Sequence, residues 1–377
     1  MQEHCIICKG GLKNPLRLNN MPASAQGFVE TAAKAKGDNL RMDIYDCPYC
    51  GLVQYSGPLV PYYKEVIRST RLSSSILEFR EKQFRDLVDK LNVQTVFELG
   101  AGGGEYLDVF KSFGIKTYGI EGSFELADLA LKANHAVING YLPDTCLTSK
   151  FDIERCDLVT SFNFIEHLPD PVGSLRSLAE FLKPDGYALL EVPNFDMISE
   201  FGLFNEFIPD HRSYFTQTSF QQLLSFSGFE IVSMETIWDQ YIISAVARKR
   251  QQTDWRPYND VRSALGEQIR LFFSATPTFE NAIWSAGHQS LATISNLNLS
   301  EIVSVIIDSS HSKQNKFAPA SGLPIVSPKI LNEGQIKTVL LAAAGFNEEI
   351  ARSIRTDYHN HIKIGFLNKG VVDIVTK

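Results

Sequence analysis

The stretch NEFIPDHRSYF, residues 205–215, holds a histidine open to chemical use. His211 follows a proline and an acid, and Tyr214 stands three places on. An imidazole titrates near neutrality, so it can carry a proton or ligate a metal, and it can also be a plain turn residue. Two further groups have chemistry in their spacing. Cys5-Ile-Ile-Cys8 and Cys47-Pro-Tyr-Cys50 are two C-x2-C pairs, each able to aim two sulfurs at one ion. Together they predict a four-thiolate zinc site, whose closed tetrahedron makes it structural. The third group is Glu98-Leu-Gly100-Ala-Gly102-Gly-Gly104, a carboxylate ahead of a glycine-rich turn.

The glycine turn needs a strand before it and a helix after it. Thr95–Leu99 is a short apolar run of strand type, and a helical pattern runs from Tyr106 to Phe113. Strand, turn and helix form the first unit of a doubly wound sheet. A dinucleotide fingerprint would place a third glycine where Glu105 stands. Pyrophosphate prefers a bare helix N-terminus, whereas Glu98 suits a cation. A second strand, Lys116–Glu121, ends in an acid about 20 residues past the turn, where a carboxylate can grip ribose hydroxyls. Phe229–Glu235 and Tyr241–Ala247 read as a closing strand pair. Farther on, Asn281–Trp284 enters a tight turn at Ser285–His288, Ile302–Ile307 is a strand ending at Asp308, Thr338–Ala343 is another, and Ile350–Ile354 is helical. These predict a second, smaller α/β sheet.

The chain has 377 residues, too many for one ordinary core, and the spacing divides it into 1–75 (zinc), 76–250 (cofactor) and 251–377 (second α/β domain). A net charge of −7 argues against nucleic acid or a membrane surface as partner. No apolar run approaches the ~20 residues of a membrane span, and the start carries no signal-peptide pattern, so a cytoplasmic location is the default expectation. There, cysteines stay reduced and paired thiols point to metal; Cys146 and Cys156 read as ordinary buried thiols.

The glycine turn, Glu121, Phe162-Asn-Phe-Ile-Glu-His-Leu-Pro-Asp-Pro171 and Leu182-Lys-Pro-Asp-Gly186 resemble the class I S-adenosylmethionine-dependent methyltransferases. The resemblance implies that Gly100, Gly102 and Gly104 admit the methionine part of the cofactor, that Glu121 holds its ribose, and that Asn163 and Phe164 line its site. Glu166 and His167 follow; His167 reads as a packed residue at a helix start. In order from end to end, the cysteine knot, Glu191-Val-Pro-Asn194, Ile208-Pro-Asp-His211-Arg-Ser-Tyr-Phe215 and Lys313-Gln-Asn-Lys-Phe-Ala-Pro319 are similar to the nucleotide-sugar C-methyltransferases of deoxysugar pathways.

That branch methylates C3 of a 4-keto sugar attached to a nucleoside diphosphate, through an enolate and without a catalytic metal. The resemblance casts His211 as general base with Asp210 beside it, and gives Asn194, Tyr214 and His288 substrate contacts. It also implies that the last domain helps close over the nucleotide half of the substrate. His211 is expected in the loop after the fourth strand, at the carboxyl edge where ligands sit. The chain departs from the branch where Ile208 stands for its tyrosine, where Pro209 stands for its first histidine, and where Tyr241-Ile-Ile-Ser244 lacks its glycine pair. An O- or N-methyltransferase acting on a nucleotide sugar, or a non-catalytic zinc module binding RNA or protein, are the competing readings. The sequence leaves the sugar and the oligomeric state open.

Overall fold

The structure, a computed structural model, describes residues 4–64, 73–143, 155–358 and 361–375; Cys146 lies outside them. The chain separates into two compact units, Met1–Gln251 and Gln252–Lys377.

The first unit holds two sheets. Its strands are β1 (Leu16–Pro22), β2 (Asn39–Asp46), β3 (Val53–Tyr55), β4 (Thr95–Leu99), β5 (Lys116–Glu121), β6 (Ala136–Asn139), β7 (Cys156–Phe162), β8 (Leu182–Pro193), β9 (Ser213–Tyr214), β10 (Phe229–Ile237) and β11 (Ile242–Lys249). The larger sheet runs β6-β5-β4-β7-β8-β11-β10. Strands β4 to β8 are parallel, and β11 runs antiparallel between β8 and β10. This is the class I methyltransferase arrangement, a Rossmann-like parallel sheet closed by an antiparallel pair. Parallel strands need both faces covered, which explains the fully buried Val96, Phe97 and Leu99 of β4. The helix Pro171–Glu180 begins on a proline, and the Asp170 side chain caps it by accepting from Gly173 N–H.

The smaller sheet, β1-β2-β3-β9, mixes two distant parts of the chain. Its fourth strand, Ser213–Tyr214, comes from the His211 segment and pairs antiparallel with β3, just past the second cysteine pair. The cysteine knot also shares one buried cluster with the larger sheet: Cys5, Ile6, Cys47, Cys50 and Leu52 pack with Phe215, Phe220 and Leu190. The knot and the cofactor sheet therefore belong to one compact unit.

Two expectations need correction. His211 follows the fifth parallel strand, not the fourth, because Ala136–Asn139 is itself an edge strand. Four residues with one fully buried side chain gave no pattern to read. In the second unit, only Val305–Ile307 of the stretch 302–307 is extended. Ile302 N–H instead closes a turn on Leu299 O (3.0 Å), while Val303 is buried from that turn.

The second unit has strands β12 (Asn281–Trp284), β13 (Val305–Ile307), β14 (Lys316–Phe317), β15 (Pro324–Val326), β16 (Thr338–Leu341), β17 (Lys363–Asn368) and β18 (Val371–Ile374). Their order is β14-β15-β13-β12-β16-β17-β18, with β15, β13, β12, β16 and β17 parallel. It is a second α/β sheet with its own core of Ile283, Ile306, Leu340 and Phe272.

Candidate functional site

The glycine turn leaves β4 with all three spaced glycines at positive φ: 77° at Gly100, 57° at Gly102 and 95° at Gly104. At Gly100 the need is also steric. A Cβ there would sit 2.7 Å from Phe164 Cγ, so the ring and the turn can touch only if that position is glycine. Glu121, at the end of β5, reaches into the turn: its carboxylate accepts from Gly102 N–H and from Ser123 N–H, both at 2.8 Å. The acid thus lies 3% exposed at the carboxyl edge of two adjacent parallel strands, the ligand position of such sheets. Glu98 is fully buried within β4.

Asn163 closes β7 in the left-handed region, φ 49°, and is exposed at the same edge. Asparagine tolerates that conformation better than most residues, and such strained positions cluster at functional sites. Phe164 then turns back onto Gly100, and the short helical turn Ile165–His167 follows.

That turn brings together residues the sequence kept apart. The His167 and His211 rings meet edge to face, centroids 4.7 Å apart, and Phe164 lies 6.5 Å from His167. One donor atom each from Glu166, His167 and His211 lies within 4.8 Å of the others. His167 Nδ1 is bonded to Asp210 O (3.0 Å), which leaves Nε2 facing Glu166 Oε1 at 3.8 Å. Among the described residues no hydrogen bond engages the His211 ring. Burial, and secondarily the neighbouring His167 ring, hold His211 well below the usual histidine range, so it is an unprotonated base at neutral pH. Burial likewise lowers His167 and pushes Glu166 up to about 8.

The remaining expected site residues divide by what they already hold. The Asp210 carboxylate accepts from Ala25 N–H (2.9 Å) and Tyr62 O–H (2.8 Å), so it fastens the His211 segment to the N-terminal region. Tyr214 O–H donates to Ile208 O (2.9 Å) while its oxygen accepts from Ile208 N–H (3.0 Å), stapling the loop around His211. The Asn194 side chain caps the helix Phe195–Glu200 through Asp196 N–H (3.0 Å) and donates to Gln240 O (2.7 Å). Asp210, Asn194 and Tyr214 thus hold the loops around His211 in place, and their expected catalytic and substrate-contacting roles enter below as part of the proposal. His288 is exposed at the start of a helix in the second unit. Sequence reasoning passed over Glu166; the signal was a Glu-His pair directly after the residues expected to line the cofactor. A separate cleft of about 380 Å³ lies against the helix Ser74–Leu91, between Gln83, Leu189, Glu235 and Ser244, and none of the residues above lines it.

Glu166 gives a testable stability effect. Its folded pKa of about 8 stands above its ordinary 4.5, so its share of stability is fully present below pH 4.5 and is lost as pH rises through 8. Glu166→Gln is expected to abolish that decline, worth on the order of 5 kcal/mol across the window. Urea unfolding of both proteins at pH 5 and pH 9 measures it.

The cysteine knot is closed in the same structure. Cys5 and Cys50 sulfurs lie 3.5 Å apart, as do Cys8 and Cys47, and all four fall within 4.8 Å of one another. A tetrahedron with zinc–sulfur bonds of ~2.3 Å has edges of about 3.8 Å, so the four fit one ion. The hydrogen bond with Cys50 pulls the Cys5 thiol down to about 5, while the same bond pushes Cys50 up. Each knuckle is a tight turn, with Lys9 N–H bonded to Cys5 O and Gly51 N–H to Cys47 O, both at 3.0 Å. Gln54 joins the knot to β3: its Oε1 accepts from Ile6 N–H (2.9 Å). Cys156 lies apart, buried, its thiol pushed up to about 12 by burial.

Residues 67–234 match the family model of a methyltransferase domain, and residues 281–363 match that of a C-methyltransferase C-terminal domain. The C-methyltransferase NovU of Streptomyces niveus is 23% identical over 206 residues, 52% of this chain and 48% of that protein. The ubiquinone biosynthesis O-methyltransferase of Haemophilus ducreyi is 31% identical over 108 residues, 26% of this chain and 45% of that protein. The chain thus spans about half the length of the curated relatives it matches. Among solved structures, a SAM dependent methyltransferase from Archaeoglobus fulgidus covers 46% of this chain and 94% of its own at 18% identity, TM-score 0.36. In fold and in both matches, the chain carries an S-adenosylmethionine-dependent methyltransferase domain followed by a domain of the kind that ends C-methyltransferases.

Proposed function

We propose that the protein methylates a carbon, C3, of a nucleoside-diphosphate-linked 4-keto-deoxysugar through an enolate. The observation that carries this reading is the half-buried, unprotonated His211 ring, on a loop fastened by Asp210 and Tyr214 and linked to the glycine turn through His167 and Phe164. A carbon beside a ketone must lose a proton before it can act as a nucleophile, and His211 is the base this reading gives that step. With an oxygen or nitrogen acceptor the same base would only assist the loss of a hydroxyl or amine proton. The name of the Streptomyces niveus relative, a C-methyltransferase, points the same way.

S-adenosylmethionine, when bound, supplies an electrophilic methyl group. Gly100, Gly102, Gly104, Glu121, Asn163 and Phe164 would hold it, with Glu98 a fully buried carboxyl in the strand before the turn. Glu121→Ala is expected to weaken cofactor binding by about 10–100-fold, the loss of a charge-assisted hydrogen-bonding carboxylate. Calorimetry with the cofactor and its demethylated product measures this. No binding by the unmutated protein to either compound ends the proposal.

The second unit, which the resemblance gives a part in nucleotide binding, has a carboxylate cradle of its own. There the end of β13 repeats the pattern at the end of β5: the Asp308 carboxylate accepts from Ala286 N–H (2.7 Å), in the turn after β12, and from Ser310 N–H (2.8 Å). Lys313 adds a cation 3.1 Å from the same carboxylate, and His288 opens the helix after that turn.

The four cysteines hold structural zinc in this reading. Purified protein is expected to carry one zinc per chain by atomic emission, and Cys47→Ser to lose it and, with it, turnover. The metal braces β3, and β3 carries β9 and the His211 loop.

The deciding experiment incubates the protein with methyl-labelled cofactor and a panel of keto and reduced nucleotide sugars, then locates the label by NMR. Label on oxygen or nitrogen removes the carbon reading. Ile208, standing where the resembled branch has a phenol, is the observation that favours that second outcome.

A further inference from the structure

We propose that Glu166 is the terminal proton acceptor of the reaction, receiving from His211 the proton that His211 takes from the substrate carbon. The inference rests on the carbon-acceptor reading above.

Its basis is geometric. Glu166 is 2% exposed, and its Oε2 is buried without a hydrogen-bond partner. An unpaired buried carboxyl oxygen is costly, and a native site that keeps one has a use for it. The backbone fixes its direction: Glu166 O accepts from Arg212 N–H (2.8 Å), one residue past His211. The His167 ring is pinned by Asp210 O, so its Nε2 faces Glu166, and the His211 ring packs against that imidazole. The three side chains offer a donor or acceptor atom each within 4.8 Å, a span one side-chain adjustment or one water closes.

The chemistry balances. The carbon–hydrogen bond breaks, its electron pair becomes the enolate, and a nitrogen–hydrogen bond forms on His211. That imidazolium is disfavoured by burial, so it passes its proton to the Glu166 carboxylate and returns to the free base. Of the two groups the carboxylate is the stronger base here, since burial raises it and lowers the histidine. Charged groups on the His211 loop have partners of their own. Asp210 is held by Tyr62 and Ala25, and Arg212 donates to Gly57 O (2.8 Å). Tyr241, raised mainly by burial and then by its bond to Glu206, also senses Glu166.

The relay works only when Glu166 starts ionised, so the rate of methyl transfer is expected to rise with pH to a plateau above about 8. The test is the pH profile of single-turnover methyl transfer, with exchange of the substrate's carbon-bound proton into deuterated solvent. Wild type, Glu166→Gln and Glu166→Asp are compared, with cofactor calorimetry to show that each folds. Support is loss of the alkaline rise and a 10–100-fold slower plateau in Glu166→Gln, with the rise kept at a shifted pH in Glu166→Asp. A carboxyl stretch in the infrared that vanishes near pH 8 in the wild type, and is missing from Glu166→Gln, gives a readout independent of any acceptor. An unchanged profile in Glu166→Gln alongside normal proton exchange overturns the proposal alone. Absence of exchange in the wild type overturns the carbon-acceptor reading beneath it. Tight Mn2+ binding lost in both Glu166→Gln and His211→Gln, with turnover abolished by EDTA, overturns the relay in favour of a metal at the same three residues.

Discussion

Replacing His211 by alanine is expected to cut the rate of methyl transfer by about 10²–10⁴, the usual loss for a positioned general base, while leaving cofactor affinity within about twofold. The separation follows from the structure. The cofactor turn is held by Glu121, Gly102 and Ser123, none of which touches His211 in these bonds. The His211 loop is held by Tyr214, Asp210 and the β3–β9 pairing, all of which survive loss of the ring. The variant therefore loses a proton acceptor and not a scaffold. Initial rates with labelled cofactor, paired with calorimetry, read the two quantities apart, and full turnover in the variant would remove His211 from the mechanism. Because burial keeps the ring unprotonated far below its ordinary range, no acidic limb near pH 6.5 is expected from it.

The parts legible in the sequence were those fixed by local spacing. Two C-x2-C pairs converge because each knuckle is a tight turn, and four sulfurs of that spacing have few other arrangements. The glycine turn and Glu121 were readable because strand, turn, helix and acid repeat at set distances along any such sheet. Three features depended on long-range contact, and spacing carries no trace of those. Tyr62 and Ala25 meet Asp210 across 148 and 185 residues. Strand β9 is two residues long and exists only because β3 needs a partner. Glu166 gained its altered acidity from burial behind His211, which sits 45 positions later in the chain.

His167 shows how one residue serves two readings. It was expected as a packed residue, and its Nδ1 is indeed tied to Asp210 O. The same bond orients the ring against His211. The chain has therefore placed a second imidazole behind the first, where the resembled branch begins its segment with a phenol and a histidine that Ile208 and Pro209 replace here. With Ile208 and Pro209 in those places, His211 is the one imidazole of the loop, and the turn after β7 sets His167 and Glu166 beside it.

The other large effect concerns stability. Glu191, within the Glu-Val-Pro-Asn run, is fully buried on β8 and forms a two-pronged ion pair with Arg80 of the helix Ser74–Leu91. One prong is Nη1 to Oε1 at 2.6 Å, the other Nη2 to Oε2. Ser244 O–H (2.9 Å) and Gln83 Nε2 (3.1 Å) also donate to the carboxylate. The guanidinium lies 4.8 Å from the Phe162 ring centroid and 5.2 Å from that of Tyr106. Arg80→Met is expected to destabilise the fold by about 3–5 kcal/mol, because it leaves a fully buried carboxylate without its ion partner. The double variant Arg80→Met with Glu191→Leu is expected to regain most of that loss. Apolar side chains of similar volume carry no desolvation cost, and the surrounding rings already favour them. Urea unfolding of the wild type, both single variants and the double variant measures the coupling. A double variant no more stable than Arg80→Met alone would mean that the pair's value lies in its geometry, not in charge neutralisation. The pair also ties the helix that precedes β4 to the strand that leads to Asn194 and the His211 loop. Its loss should therefore loosen the base before it loosens the cofactor turn, and turnover should fall at temperatures where cofactor binding persists.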